Sequence, residues 1–252
     1  MTHTNNNKNQ YKVAIVTGAS RGIGAATAKL LGAQGYRVCV NYHKQLEAAK
    51  QVVTDIESAG GQAIAIQADV SKEADVVRLF AETKLKLGAV SHLVNNVGIL
   101  FTQSRLVDLS LARFNTVMNT NVSSCFLCCR EAVKTMQAGS AIVNVSSGAS
   151  KSGAPNEYVD YAASKGAMDS LTKGLSLELA ADGIRVNAVR PGFIHTQMHA
   201  DGGEPNRVER LASQIPLQRG GAPEEVAEAI AWLLSDAASY VTGSFIDLAG
   251  GR

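Results

Sequence analysis

The chain has 252 residues, 46% of them apolar, enough for one large buried core, and a formal net charge of +2 with 18% charged residues. It contains no long basic or acidic block, which argues against a dedicated nucleic-acid surface and points to small-molecule work. No stretch reaches the roughly 20 apolar residues of a membrane span, and "MTHTNNNKNQ" lacks the apolar centre of a secretory signal, so residues 1–10 are expected to be a flexible polar leader on a soluble cytoplasmic protein.

Seven short β-branched runs follow one another: "KVAIVTG", "RVCVNY", "QAIAIQAD", "SHLVNNVG", "SAIVNVSS", "IRVNAVRPG" and "SFIDLAGG". They predict seven strands, with helical patterns in most gaps between them. Strands that are apolar almost throughout are buried on both faces, and strands joined by helices are normally parallel. The expected fold is therefore α/β, one doubly wound parallel sheet with helices on both faces, spanning residues 11–252 as a single domain. Ligands of such a sheet sit beyond the carboxyl ends of its strands.

The first strand ends in "TGASRGIG". Gly18 permits a tight turn, Gly22 lets backbone N–H groups approach a pyrophosphate, and Gly24 lets the next helix pack closely. The spacing G-x-x-x-G-x-G departs from G-x-G-x-x-G, so by itself it fits an ordinary glycine-rich turn as well. The third strand ends in "ADVS", where Asp69 reads equally as an acceptor for an adenine amino group or as a helix-start cap. The fourth ends in "NNVG", two amides and a glycine where a ribose or nicotinamide lies, or a polar turn.

Residues 110–136 predict one helix with an apolar stripe of Phe114, Met118, Cys125 and Ala132, and Asn121 falls on that stripe. A buried amide needs partners, so Asn121 is either a satisfied structural residue or holds a water or backbone carbonyl near a site. The "CFLCC" cluster lies inside the same helix, away from its positive end, and no second pair completes a zinc site. Cys125, Cys128 and Cys129 are expected to be small core residues.

The fifth strand ends in "NVSS", placing Ser147 where it can donate to a substrate oxygen. In "YVDYAASKGAMDS" the alanines and the absence of proline predict a helix, with Tyr161 and Lys165 one turn apart on one face. Tyr158 has Ala162 at that offset, so it is left as a helix-start or pocket residue. The sixth strand ends in "RPGFIHT", where Pro191 and Gly192 force a turn. In "HTQMH" the Glu that a zinc hydrolase needs after its first His is Thr196, and no metal site is expected. Residues 199–221, rich in Gly, Pro and charge, are the one long irregular stretch and fit a mobile lid.

Taken in order, "TGASRGIG", "NNVG", the helix with Asn121, "NVSS" and "YAASK" resemble the short-chain dehydrogenase/reductase family from about residue 11 to the end of the sequence. "EYVDYAASKGA", "GIRVNAVRPG" and "SYVTG" make the chain similar to bacterial glucose dehydrogenases and 3-oxoacyl reductases in particular. The resemblance implies a Rossmann-type fold, a nicotinamide cofactor and hydride transfer to or from a carbonyl or secondary alcohol. It implies Asn121, Ser147, Tyr161 and Lys165 as the catalytic set. For the cofactor it implies Gly18, Ser20, Arg21, Gly22, Ile23 and Gly24, then Asp69, Val70, Asn95 and Gly98, and finally Tyr161, Lys165, Pro191, Gly192, Ile194 and Thr196.

Two departures stand out. Val97 replaces the usual alanine of "NNAG", and the spacing of 14 from Ser147 to Tyr161 is one longer than in the similar reductases, which leaves Ser146 as an alternative.

Carbonyl reduction needs a hydride and a positioned acid. Tyr161 is the expected acid, with the Lys165 ammonium expected to lower its pKa from the free phenol's value of about 10 and to hold the nicotinamide ribose. Asn121, by the same resemblance, anchors a proton-supplying water chain. The alternative function is a protein of this family's shape that binds a nucleotide or partner without catalysis. That reading expects loss of Tyr161 or Lys165, and both are present.

After the second strand comes "NYHK", with Tyr42 where an NAD enzyme usually has an acid for the ribose hydroxyls. Nothing there repels a 2′-phosphate, and Arg21, His43 and Lys44 offer donors for it, so NADP(H) is the expected cofactor and NAD the alternative. Ala163, Ala167, Ser170 and Gly174 form a small-residue stripe for packing on the protein's own sheet or across a dimer, and the resemblance favours a homotetramer. The substrate pocket is expected from residues 97–104, 148–158 and 193–215.

Overall fold

The computed structural model describes residues 12–252, and the polar leader expected over residues 1–10 lies outside them. The strands are β1 (Val13–Val16), β2 (Arg37–Tyr42), β3 (Gln62–Gln67), β4 (His92–Asn95), β5 (Ala141–Val145), β6 (Arg185–Pro191) and β7 (Phe245–Leu248). They form one sheet in the order β3-β2-β1-β4-β5-β6-β7, parallel throughout. The order reverses between β1 and β4, and that switch point opens a crevice above the strand ends.

Alternation along the strands divides the core in two. Ala14 and Val16 of β1 join Val143 and Val145 of β5 on one face, beneath helices α1 (Gly22–Ala33), α2 (Leu46–Ser58) and α10 (Pro223–Leu234). Ile15 and Ile142 face the other way, beneath α3 (Glu73–Leu87), α5 (Ser124–Val133) and α7 (Val159–Glu178). Each such valine or isoleucine contributes about 1.5–3 kcal/mol by leaving water. Cys125, Cys128 and Cys129 are free thiols in the second core. Burial pushes the Cys128 thiol far up, so it is inert packing rather than a nucleophile.

The helix predicted over residues 110–136 is broken. It consists of α4 (Leu111–Met118), a π-helical stretch Asn119–Ser123, and α5. The wider π-turn shifts the phase of the apolar stripe, so Phe114 is exposed, Met118 is half-buried and Val117 takes the buried position. Residues 199–221 are also more regular than expected. After α8 (Met198–Asp201) come α9 (Arg207–Leu211) and a 3-10 turn at Ala212–Gln214, and Val208, Leu211 and Ile215 are buried. A short α6 (Ala149–Ser152) precedes α7.

Candidate active site

The site begins where the loops after β1 and β4 are tied together. Thr17 Oγ1 accepts the N–H groups of Asn96 at 2.9 Å and Val97 at 3.2 Å. Asn96 Nδ2 donates to the carbonyls of Thr17 and Gly18 at 2.9 and 3.1 Å. Asn41, buried on β2, accepts from the Gly18 N–H at 3.2 Å and donates to the Ala68 carbonyl at 3.2 Å, bracing three strand ends.

Asn95, expected at the cofactor, turns its side chain into the protein. Its side chain is buried and donates to Asn144 Oδ1 at 2.9 Å and to the Cys129 sulfur, and Asn144 in turn donates to Thr172 at 2.9 Å. Asn96, the next residue along, faces the crevice instead.

Gly18 and Gly22 adopt φ of +60° and +56°, the left-handed region that glycine enters without strain. A Cβ on Gly24 would lie 2.5 Å from Asn96 Nδ2 and 2.6 Å from the Gly18 carbonyl, so α1 packs against the loop at bare-backbone distance. Helix α1 has no side-chain cap, which leaves its first N–H groups for an anion such as the pyrophosphate of a dinucleotide. Thr196 closes over Gly22, 3.4 Å from where a Cβ would stand, and with Ile23, Pro191, Gly192 and Ile194 it lines the same cavity. Ser20 is half-buried within the loop. These features fit a nicotinamide dinucleotide.

Farther out, Tyr42 packs partly against the core, and His43 and Lys44 are exposed. Arg21 is half-exposed and ion-paired with Asp201 of α8. Asp69 does turn-capping work, accepting from the Ser71 N–H at 3.2 Å and hydroxyl at 2.7 Å, and one of its carboxylate oxygens lies 4.0 Å from His43. Val70 is buried in the second core.

Ser147, Tyr161 and Lys165 converge on one wall of the cavity, whose volume is about 650 Å³. Ser147 Oγ accepts the Ala149 N–H at 3.1 Å, whereas the buried Ser146 hydroxyl donates to the Lys165 carbonyl at 3.3 Å. The geometry thus favours Ser147 over Ser146 as the hydroxyl beside the phenol. Lys165 is buried, its ammonium donating to the Val145 carbonyl at 2.7 Å and lying 5.6 Å from the Tyr161 ring centre. Gly98 makes room for it, since a Cβ there would stand 3.2 Å from Lys165 Nζ.

The electrostatics differ from the expectation of a depressed phenol pKa. Burial pushes the Tyr161 phenol up to about 12, with Ser147 opposing the shift, and burial pulls Lys165 down to about 8. Loss of water on burial is the larger cause for the phenol, and the Lys165 ammonium stands 5.6 Å from the ring centre.

Asn121 is fully buried in the π-helical stretch. It accepts the Ile99 N–H at 2.8 Å and donates to the Ile99 carbonyl at 3.0 Å and the Ser164 hydroxyl at 2.9 Å. Of the two readings open for it, it therefore grips a backbone peptide, fixing the pocket loop to α7. Tyr158 stands at the N-cap position of α7 without a side-chain capping bond, and it also lines the cavity.

One device went unread in the sequence. Buried Asp160 accepts the Tyr161 N–H at 2.9 Å and pairs with Arg113 of α4 at 2.7 Å, while Arg113 also donates to the Thr102 carbonyl at 2.8 Å. The first turn of α7, α4 and the pocket loop are thereby fixed to one another. Only an acid beside the expected catalytic tyrosine hinted at it. His195 and His199 diverge, His195 toward Glu209 and His199 toward the Ile194 carbonyl. Among the described residues no group of three His, Cys, Asp or Glu side chains is placed to bind a metal, and no helix is long and apolar enough to cross a membrane.

A nucleotide cradle at the sheet's switch point, beside a serine, tyrosine and lysine in one cavity, is the arrangement of a short-chain dehydrogenase/reductase, and the chain belongs to that family of oxidoreductases. A family model described as enoyl-(acyl carrier protein) reductase matches residues 18–252. The chain is 62% identical over 245 residues to the "uncharacterized oxidoreductase YgfF" of Escherichia coli K12, covering 95% of this chain and 99% of that one. It is 41% identical to 3beta-hydroxysteroid dehydrogenase 1 of Eggerthella lenta, covering 95% and 93% of the two chains. A solved short-chain dehydrogenase from Burkholderia cenocepacia J2315, in complex with NADP, superposes with a TM-score of 0.89 at 35% identity, covering 97% and 99%.

Proposed function

We propose that the protein is an NADP(H)-dependent reductase of ketones or aldehydes, or the corresponding alcohol dehydrogenase. The observation that carries this reading is the shared wall of Ser147, Tyr161 and Lys165 beside the uncapped start of α1. When bound, the nicotinamide supplies or accepts the hydride. Tyr161 gives its phenolic proton to the carbonyl oxygen as charge develops there, and Ser147 donates a second hydrogen bond to that oxygen. A phenol whose resting pKa is about 12 is fully protonated at neutral pH, as a general acid for reduction must be. Lys165 provides positive charge behind the phenol and a donor for the ribose, and Asn121 supports the route by which the proton is replaced.

Arg21 with His43 and Lys44 is the proposed reader of the 2′-phosphate, which the absence of an acid at Tyr42 leaves unopposed. The relative in complex with NADP supports that choice. Ala163, Ser170 and Gly174 are exposed, which supports subunit pairing through α7 in a homotetramer over packing of that stripe on the protein's own sheet. We assign the protein to the cytoplasm. A screen of NADPH oxidation against ketones and aldehydes tests the function. Turnover on at least one class supports it, and tight NADPH binding without turnover across a broad panel overturns it.

A further inference from the structure

Both main-chain polar groups of Tyr161 are held by side chains, and both lines of contact end on the pocket loop. In the first turn of a helix an N–H has no intrahelical acceptor, and for Tyr161 the Asp160 carboxylate supplies one at 2.9 Å. Asp160 meets Arg113, whose Nη1 donates to the Thr102 carbonyl at 2.8 Å. On the other side the Tyr161 carbonyl accepts the Ser164 hydroxyl at 2.7 Å, Ser164 accepts from Asn121, and Asn121 grips the main chain of Ile99. Between these two anchor points lies Leu100, which reaches the cavity and also occupies the place where a Cβ on Gly202, just after α8, would stand.

Arg113 uses its guanidinium in three directions. Nε and Nη2 meet the two Asp160 oxygens at 2.7 and 3.4 Å, Nη1 takes the Thr102 carbonyl, and the group lies over the Phe101 ring at 5.5 Å. Asp160 is 2% exposed. A buried ion pair adds little net stability over an apolar contact of similar size, because both charges lose water. What the planar fork adds is a fixed distance and direction between the parts that it joins. Neither Arg113 nor Asp160 lines the cavity, so any effect on the reaction passes through Tyr161 and the loop.

Resting on the reductase reading above, we propose that Arg113 and Asp160 are positioning residues for the reduction, holding the main chain of the acid at a set distance from the pocket loop. Lys165 is tied separately, to the Val145 carbonyl of β5. Releasing the first turn of α7 therefore shifts the phenol relative to both the ammonium and Ser147, and a displacement of about 1 Å at a reacting group costs up to about a hundredfold in rate.

The test uses Arg113→Met combined with Asp160→Asn, since Arg113→Met alone strands a buried carboxylate, whereas the asparagine keeps an acceptor for the Tyr161 N–H. NADPH titration gives the Kd and the number of binding sites, and kcat for the best ketone of the screen is counted per site, so that a smaller folded fraction does not pass for slower chemistry. The expected result is a fall of about tenfold or more in kcat per site with the Kd for NADPH within about threefold of the parent. Arg113→Lys keeps the charge beside Asp160 but lacks the fork, and is expected to lose at least about threefold per site. If the double variant gives no soluble protein, Arg113→Lys decides alone. A kcat per site equal to the parent's makes the pair a tie within the scaffold and overturns the proposal, leaving the reductase reading intact. A Kd for NADPH that rises as much as kcat falls gives the pair to the nucleotide cradle and overturns it equally. Absence of turnover by the parent chain across the whole screen overturns the reductase reading and this proposal together.

Discussion

The Lys165 ammonium donates to the main-chain oxygen of Val145 at 2.7 Å, so a charge carried by α7 ends inside the protein at the tip of β5. Its pKa falls from 10.5 to about 8 because water is excluded, and the difference corresponds to about 3 kcal/mol of destabilisation by the buried charge. Below pH 8 both folded and unfolded chains carry the proton, and the cost is present in full. Between about 8 and 10.5 the unfolded chain binds a proton that the folded chain releases, so stability rises with pH. Lys165→Met is expected to raise Tm by about 2–6 °C at pH 7, the orphaned Val145 carbonyl taking back part of the gain, and the advantage should shrink toward pH 10. Thermal melts at the two pH values check this, and a variant less stable than the parent at pH 7 would contradict it.

Tyr161→Phe should lower kcat at least about a hundredfold while the Kd for NADPH stays within about threefold, because the phenolic proton acts only in the chemical step. Tyr158→Phe keeps the ring that Arg207 stacks on and should lose less than about tenfold. Steady-state kinetics with the best ketone of the screen, together with nucleotide titration, separate the two. Comparable losses in both variants would remove the acid from Tyr161.

Asp201 competes with any phosphate for the Arg21 guanidinium. Arg21→Ala should erode the preference for NADPH over NADH without harming NADH use. Asp201→Asn should lower the KM for NADPH by about two- to fivefold and leave that for NADH unchanged, a modest effect because the pair is half-exposed. A KM for NADPH that does not move, or that moves equally for both cofactors, would show that Arg21 does not read the 2′-phosphate.

Gly24→Ala places a methyl group 2.5 Å from Asn96 Nδ2 and 2.6 Å from the Gly18 carbonyl, so the loop must open. The expected result is a loss of about 1–3 kcal/mol of stability and at least about tenfold weaker NADPH binding, measured by melting and by fluorescence titration. Gly166→Ala, inside α7 with nothing within 4 Å, is the control and should leave NADPH binding unchanged while holding or raising stability by about 0.5–1 kcal/mol through alanine's higher helix propensity.

The strands and the glycine loop were legible because their signal is local. The apolar runs place Ile15 and Val16 on opposite faces wherever the neighbouring strands fall, and Gly18 and Gly24 stand at the strand-to-helix turn itself. Asn95 and Asn96 were not separable in this way. One residue of register decides which amide turns inward, and the strand's true end at Asn95 is fixed by pairing with Asn144, far along the chain. The π-helical stretch around Asn121 was illegible because composition does not encode a wider turn. What holds it is the grip of the amide on Ile99 and Ser164. The link from Arg113 to Asp160 joins residues 47 apart. The phenol's raised pKa followed from burial, which helical spacing alone does not reveal.

The order of the sheet also sets how this molecule becomes active. The β1–β4 pair brings Val13 and Ser91, 78 residues apart, into hydrogen-bond contact, and the crevice exists only once that join is made. Glycines from the first strand-to-helix turn, Asn96 from the fourth, Ser147 from the fifth and Thr196 from beyond the sixth contribute nothing separately. Closing such long loops is slow, and its entropic cost comes before any of the site's contacts can offset it. A chain emerging from synthesis therefore has no partial catalytic competence, and regained turnover after denaturation reports completion of the central sheet rather than collapse of either half.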